Sequence, residues 1–90
     1  MVNHMETRVA LIGIIVERAD AVERLNSLLH EYRHCIIGRM GIPYPQREVS
    51  IISVAVDAPQ DTINALSGKI GRIDGASAKT IYSNIGGVKP

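Results

Sequence analysis

The sequence predicts a single α+β domain with the ferredoxin-like order βαββαβ, in which a four-stranded antiparallel sheet carries two helices on one face. Three observations favour this fold. The chain has 90 residues, which suits one domain. Thirteen isoleucines and eight valines, with no Phe or Trp, favour an aliphatic core built on a sheet. Segments with strand and helix periodicity alternate along the chain in the required order.

The first strand and the first helix have the clearest patterns. Residues 8–17 are apolar on both alternating faces, which is typical of a central strand that is covered on two sides. Residues 20–32 are predicted to form a helix, with Asp20 as its N-cap and Glu23 completing a pair that resembles a capping box. The apolar stripe of this helix consists of Val22, Leu25, Leu28, Leu29 and Tyr32.

The second strand is predicted over residues 34–43 and contains glycines. Gly38 and Gly41 are expected to mark bulges or places where another backbone comes close. Pro43 and Pro45 are expected to end the strand and to stiffen the loop that follows.

The second half of the chain repeats the order strand, helix, strand. Residues 49–57 form the third predicted strand, which is again apolar on both faces apart from two serines. A helix is expected to start near Pro59 and to stop at Gly71, with apolar positions at Ile63, Leu66 and Ile70. A turn at residues 74–75 then leads to a more polar fourth strand over residues 76–83.

The polarity of the strands predicts self-association. In this topology the first and third strands are central, and they are the most apolar. Two helices cover one face of the sheet only, so the apolar residues on the other face need a further cover. We therefore expect a homo-oligomer, either a two-fold dimer or a tetramer made of two dimers.

The sequence also indicates where the domain begins and ends, and its composition disfavours several classes of protein. We expect a flexible N-terminus at 1–7, one domain at 8–83 and a flexible tail at 84–90. A lone Cys suits a reducing, cytoplasmic setting, and no apolar run reaches the length of a membrane span. The net charge of +1 and the lack of stacking aromatic residues on the central strands disfavour a nucleic-acid partner.

Two segments resemble a known family. GRMGIPY at residues 38–44 and INALSGKIGRI at residues 63–73 resemble the iron-only ([FeFe]) hydrogenase system regulator family, and the likeness extends over roughly residues 6–83. That family is similar to ACT-like domains and to the ligand-binding domain of nickel-responsive repressors. The resemblance implies a ferredoxin-like, ACT-like fold, an oligomeric assembly and a regulatory role, and it assigns no ligand.

The same glycine-rich segments hold the candidate ligand site. Arg39, Gly41 and Tyr44 lie on or just after the second strand, and Lys69 and Arg72 lie at the end of the second helix. Glycines allow close approach, and Arg and Lys bind carboxylate or phosphate, so a small anionic ligand at a subunit interface is the prediction. In the alternative interpretation the glycines are bulges and caps, and the basic residues are solvated.

Metal and catalytic sites have weaker support. His30, His34 and Cys35 offer nitrogen and sulfur ligands suited to Zn or Ni, but neighbouring residues on a strand point to opposite faces. The alternative is two exposed histidines beside a partly buried thiol; His4 falls in the N-terminal segment. No serine has an evident His–Asp partner, so neither an enzyme nor a cofactor is predicted.

The sequence therefore predicts a non-catalytic, oligomeric regulatory module that senses a small ligand or docks on a partner protein. Two alternatives stay open. One is a metal sensor that uses His30, His34 and Cys35, and the other is a purely structural interaction protein.

Overall fold

The computed structural model describes residues 6–84 and has the predicted order of elements. A short 3₁₀ turn, Arg33–Cys35, joins the first helix to the second strand. The predicted flexible segments fall largely on residues 1–5 and 85–90, which lie outside the described residues. The six main elements are β1 (Arg8–Val16), α1 (Ala19–Glu31), β2 (Ile36–Tyr44), β3 (Val49–Ala58), α2 (Gln60–Gly71) and β4 (Ala76–Tyr82).

The four strands form one antiparallel sheet in the order β2-β3-β1-β4, so β1 and β3 are central as predicted. Ile12 of β1 pairs with Val54 of β3 and with Thr80 of β4, and this register aligns the apolar residues of the central strands. Each strand has alternate residues that face the helices.

The hydrophobic core lies between this sheet and the two helices. The central strands contribute their even-numbered positions, which are apolar and buried almost completely from Ala10 to Val16 and from Ile52 to Ala58. The helices add Ala21, Leu25 and Leu29 from α1 and Ile63, Leu66 and Ile70 from α2. The three core positions predicted for the second helix are those observed. Neither helix in residues 6–84 has both the length and the apolar character needed to cross a membrane.

The start of α1 differs from the prediction. The N-cap is Arg18, whose backbone is extended (φ −136°) and whose side chain makes no capping hydrogen bond. Asp20 is the second helical residue, and its two carboxylate oxygens accept hydrogen bonds from the Arg18 guanidinium at 3.1 and 2.9 Å. The prediction that Asp20 is the N-cap is wrong. Its carboxylate instead accepts both hydrogen bonds from the side chain of Arg18, two residues earlier.

Strand β2 also differs in detail. Its register shifts between Ile36 and Gly38, which places the irregularity at Ile37, beside the predicted bulge. Gly41 pairs with Ile52 in regular register, so of the two roles expected for this glycine, a bulge or a close backbone approach, the bulge is wrong. The strand also continues past Pro43 to Tyr44, because an edge strand tolerates a proline whose missing N–H is not needed by its neighbour.

Candidate functional site

The face of the sheet that no helix covers is apolar. Residues that pair directly in an antiparallel sheet share a face. Ile51 of β3 therefore lies between Ile42 of β2 and Ile15 of β1, and Leu11 of β1 lies beside Ile81 of β4. We call this surface the open face; its large apolar residues are Val9, Leu11, Ile15, Met40, Ile42, Tyr44, Ile51 and Ile81, each with 42–68% of its surface exposed.

Two exposed charges lie among these side chains. Asp57 of β3 pairs with Val9, and Lys79 of β4 pairs with Gly13, so both belong to the open face. They have opposite signs and lie on strands that are not neighbours. The charges of Asp57 and Lys79 therefore cancel, and the large side chains around them are apolar.

The predicted ligand residues Arg39 and Gly41 lie on the opposite, helix side of β2. Arg39 pairs with Val54 and Gly41 with Ile52, and both partners are core residues. The Arg39 Nη2 donates a hydrogen bond of 2.9 Å to the Asn26 Oδ1 on α1. This contact bridges the edge strand and the helix, and Arg39 lines a cavity of about 300 Å³ between them.

Tyr44 lies at the far end of β2, beside the turn that leads to β3. It lines one cavity of about 500 Å³ with Ile15 and Arg47, and a second of about 670 Å³ with Val16 and Pro43. Arg39 lines neither of these two cavities. The structure thus separates Tyr44 from Arg39 along the length of the strand.

Lys69 and Arg72 occupy a third place, at the C-terminal end of α2. The Lys69 Nζ lies 5.2 Å from the centre of the Tyr32 ring, just after α1. Hydrogen bonding with Tyr32 and the charge of that side chain raise the pKa of Lys69 above its ordinary value of 10.5. Arg72 is the C-cap of α2, and its Nη1 lies 3.6 Å from the position that a β-carbon at Gly68 would occupy. Neither basic residue lines any of the three cavities.

The histidines and the cysteine lie around the 3₁₀ turn. Cys35 is buried with a free thiol, His34 is exposed, and His30 lines the same cavity as Arg39. Over residues 6–84, no group of three or more His, Cys, Asp or Glu side chains is placed to hold a metal ion. His4 lies outside the described residues.

Sequence reasoning missed two residues that the structure brings to Arg39. Asn26 and Arg33 line its cavity together with His30. The three residues have the spacing i, i+4, i+7, which places them on one side of a helix. The spacing is visible in the sequence and indicates that the three residues share a side of the helix. It indicates a site only when Arg39 is known to face that same side.

The fold defines the chain as a ferredoxin-like α+β domain with an uncovered sheet face, and sequence comparison identifies its family. The profile of the TM1266-like family, described as "Iron-only hydrogenase system regulator, putative", matches residues 8–80. The chain belongs to this family, which confirms the resemblance of the two glycine-rich segments.

A solved structure supports the same assignment. The chain is similar to the uncharacterized protein TM1266 from Thermotoga maritima, with a TM-score of 0.83 and 37% sequence identity. The match covers 86% of this chain and 98% of the other. No curated protein matched the sequence.

Proposed function

We propose that this chain is a non-catalytic regulatory module of an iron-only hydrogenase system and that it works as a homodimer joined through the open face. The module transmits its signal by binding a small ligand or by docking on a partner protein. The family description supports the regulatory role. The observation that supports the proposed dimer is the apolar open face, which the two helices do not cover.

The size of the open face fits a stable interface. Its eight large side chains each expose 42–68% of their surface, which amounts to several hundred Å² of mostly apolar area, against about 800 Å² per partner in a typical interface. At about 25 cal/mol per Å², covering it on both partners contributes on the order of 10 kcal/mol or more. This contribution is comparable to or larger than the association cost of about 4–15 kcal/mol.

A second copy is the occupant that the chemistry favours. In a two-fold dimer the same patch faces itself, so the patch must not repel its own copy. On the strands of the open face the exposed charges are Asp57 and Lys79, which have opposite signs. Further charges of both signs, Glu17, Arg47 and Glu48, lie at its edge, where they line a cavity with Ile15 and Tyr44. The apolar rows that cross the strands can then pack against the same rows of the second copy.

Lysine substitutions test this proposal. Ile51→Lys places a charge in the middle of the open face, and we expect it to convert the dimer to a monomer because the charge would be buried without a partner. The matched control is Ala65→Lys, which adds the same charge at an exposed position of α2. Light scattering coupled to gel filtration measures the mass, and circular dichroism verifies that each variant is folded.

The expected result is a dimer for the native chain and the control and a monomer for Ile51→Lys. A folded Ile51→Lys variant that keeps the native mass would contradict the proposed interface. Equal dissociation of both lysine variants would also contradict it, since net charge and not the open face would then govern association.

A further inference from the structure

The cavity between α1 and β2 collects positive charge. It has a volume of about 300 Å³, and its lining residues are Asn26, Leu29, His30, Arg33, Ile36 and Arg39. Asn26, His30 and Arg33 come from one side of α1 and from the turn after it. Arg39 comes from β2, where its pairing with the core residue Val54 directs the side chain toward the helix.

Both guanidinium groups retain free hydrogen-bond donors. The Arg39 Nη2 donates to the Asn26 Oδ1, and the Arg33 Nη1 donates 2.9 Å to the backbone oxygen of His30. Both acceptors are neutral, and each guanidinium has five N–H donors. Within residues 6–84 every ion pair involves Arg18, so no described carboxylate neutralises Arg33 or Arg39.

We propose that this cavity, which we call the arginine cavity, binds a small anion that has several oxygen atoms, such as a phosphate or a carboxylate group. Arginine matches such groups because its planar N–H donors contact two oxygens at once. Arg33 and Arg39 approach from different elements and hold the anion between them, and Asn26 and His30 add further hydrogen-bonding groups.

The apolar part of the lining limits the ligand further. Leu29 is buried and Ile36 is half-buried, and together they give the arginine cavity an apolar wall beside the charges. A volume of about 300 Å³ is at the small end of ligand sites. The site therefore suits a compact metabolite with one anionic end and a short apolar portion. The role of this anion as a regulatory signal rests on the proposed function, whereas its binding does not.

Titration with inorganic phosphate tests the site, with ¹H–¹⁵N NMR spectra of the full chain as the readout. We expect saturable shifts at the amides of Asn26, Arg33 and Arg39. Arg39→Gln and Arg33→Gln should each weaken binding about tenfold, because each removes charge-assisted hydrogen bonds. Arg24→Gln is the matched control, since Arg24 is exposed on α1 outside the arginine cavity, and it should change the affinity less than about twofold.

Succinate in place of phosphate distinguishes the two anion chemistries: tighter binding of succinate identifies a carboxylate site, and tighter binding of phosphate identifies a phosphate site. Shifts that do not saturate, or that sodium chloride reproduces at equal ionic strength, overturn the proposal. Equal weakening by Arg24→Gln overturns it as well. The mass of the protein is measured in the same samples. Phosphate binding to a monomer would contradict the proposed dimer and support the anion site. A dimer that does not bind phosphate would support the proposed dimer and contradict the anion site.

Discussion

Ile42 of β2 lies directly opposite Ile51 of β3 on the open face, and 58% and 42% of their respective surfaces are exposed. Ile51 in turn pairs with Ile15 of β1, so three neighbouring strands present isoleucine in a single row. A row of β-branched side chains across a sheet is ordinarily a core surface. Its exposure in the single chain is the structural basis of the proposed dimer.

Two adjacent residues of β1 should respond differently to truncation. Ile12 is fully buried under the helices, whereas Leu11 has 42% of its surface exposed on the open face. Ile12→Ala should lower the free energy of unfolding by about 2–5 kcal/mol because it leaves a cavity. Leu11→Ala should change it by less than about 0.5 kcal/mol in dilute solution but should weaken self-association.

Urea unfolding at low protein concentration and sedimentation at high concentration measure the two effects separately. Equal losses of unfolding free energy in samples that sedimentation shows to be monomeric would contradict the exposure of Leu11 in the single chain.

Gly75 should not tolerate a side chain. Its φ is +92°, and a β-carbon there would lie 2.8–2.9 Å from the Arg18 Cβ, Cγ and Cδ atoms. Gly75→Ala should therefore destabilise the fold by about 1–3 kcal/mol through backbone strain and this clash. Gly71→Ala is the control, because nothing lies within 4 Å of its β-carbon position and alanine favours a helix. Thermal unfolding should show a lower midpoint for the first variant and an unchanged or higher midpoint for the second.

Glu48 is the last residue of the turn between β2 and β3, and its φ is 58°. This backbone conformation is unfavourable for residues other than Gly, Asn and Asp. Glu48→Gly should raise the free energy of unfolding by about 1 kcal/mol, since glycine adopts this conformation without strain. Arg47→Gly, one position earlier, should lower it instead because it only adds freedom to the unfolded chain. Chemical denaturation of the native protein and the two variants measures these free energies of unfolding. A destabilised Glu48→Gly variant would contradict backbone strain at this turn.

The contact between Lys69 and Tyr32 predicts a pH effect. The pKa of Lys69 is raised above 10.5, chiefly by hydrogen bonding with Tyr32, so the folded state favours the protonated lysine. The contact thus stabilises the fold below pH 10.5 and loses this effect as the pH rises through the raised pKa. Tyr32→Phe should lower the pKa of Lys69, as followed by the ¹³Cε shift. An unchanged Lys69 titration in Tyr32→Phe would exclude the hydrogen bond as the cause.

The fold follows closely from hydrophobic periodicity, and the errors concern the details of individual side-chain contacts and of strand register. The apolar residues of β1, β3 and α2 specify their elements because each faces the core. Asp20 has the sequence signature of an N-cap, but Arg18 binds its carboxylate and also donates to Asp74 at 2.7 Å. The Arg18–Asp20 contact is local, but Asp74 lies 56 positions away from Arg18 in the sequence, so the second partner of this arginine could not be predicted from a local pattern.

The candidate site could be predicted only in part, for a geometric reason. The sequence indicates that Arg39 is a basic residue between glycines, but its partners depend on which face of β2 it occupies. The bulge at Ile37 sets that face, because one extra residue shifts all later pairings of the strand. Arg33, which joins Arg39 at the arginine cavity, has in the sequence only the appearance of a basic residue at a helix end.

If two copies of this chain bury their open faces against each other, the mass of the native protein must be at least twice that of one chain. Sedimentation equilibrium over a range of concentrations gives this mass without labels or substitutions. We expect a species of twice 9.8 kDa, or a larger even multiple, that persists on dilution to micromolar concentration. A single species of 9.8 kDa at every concentration would contradict the proposed dimer.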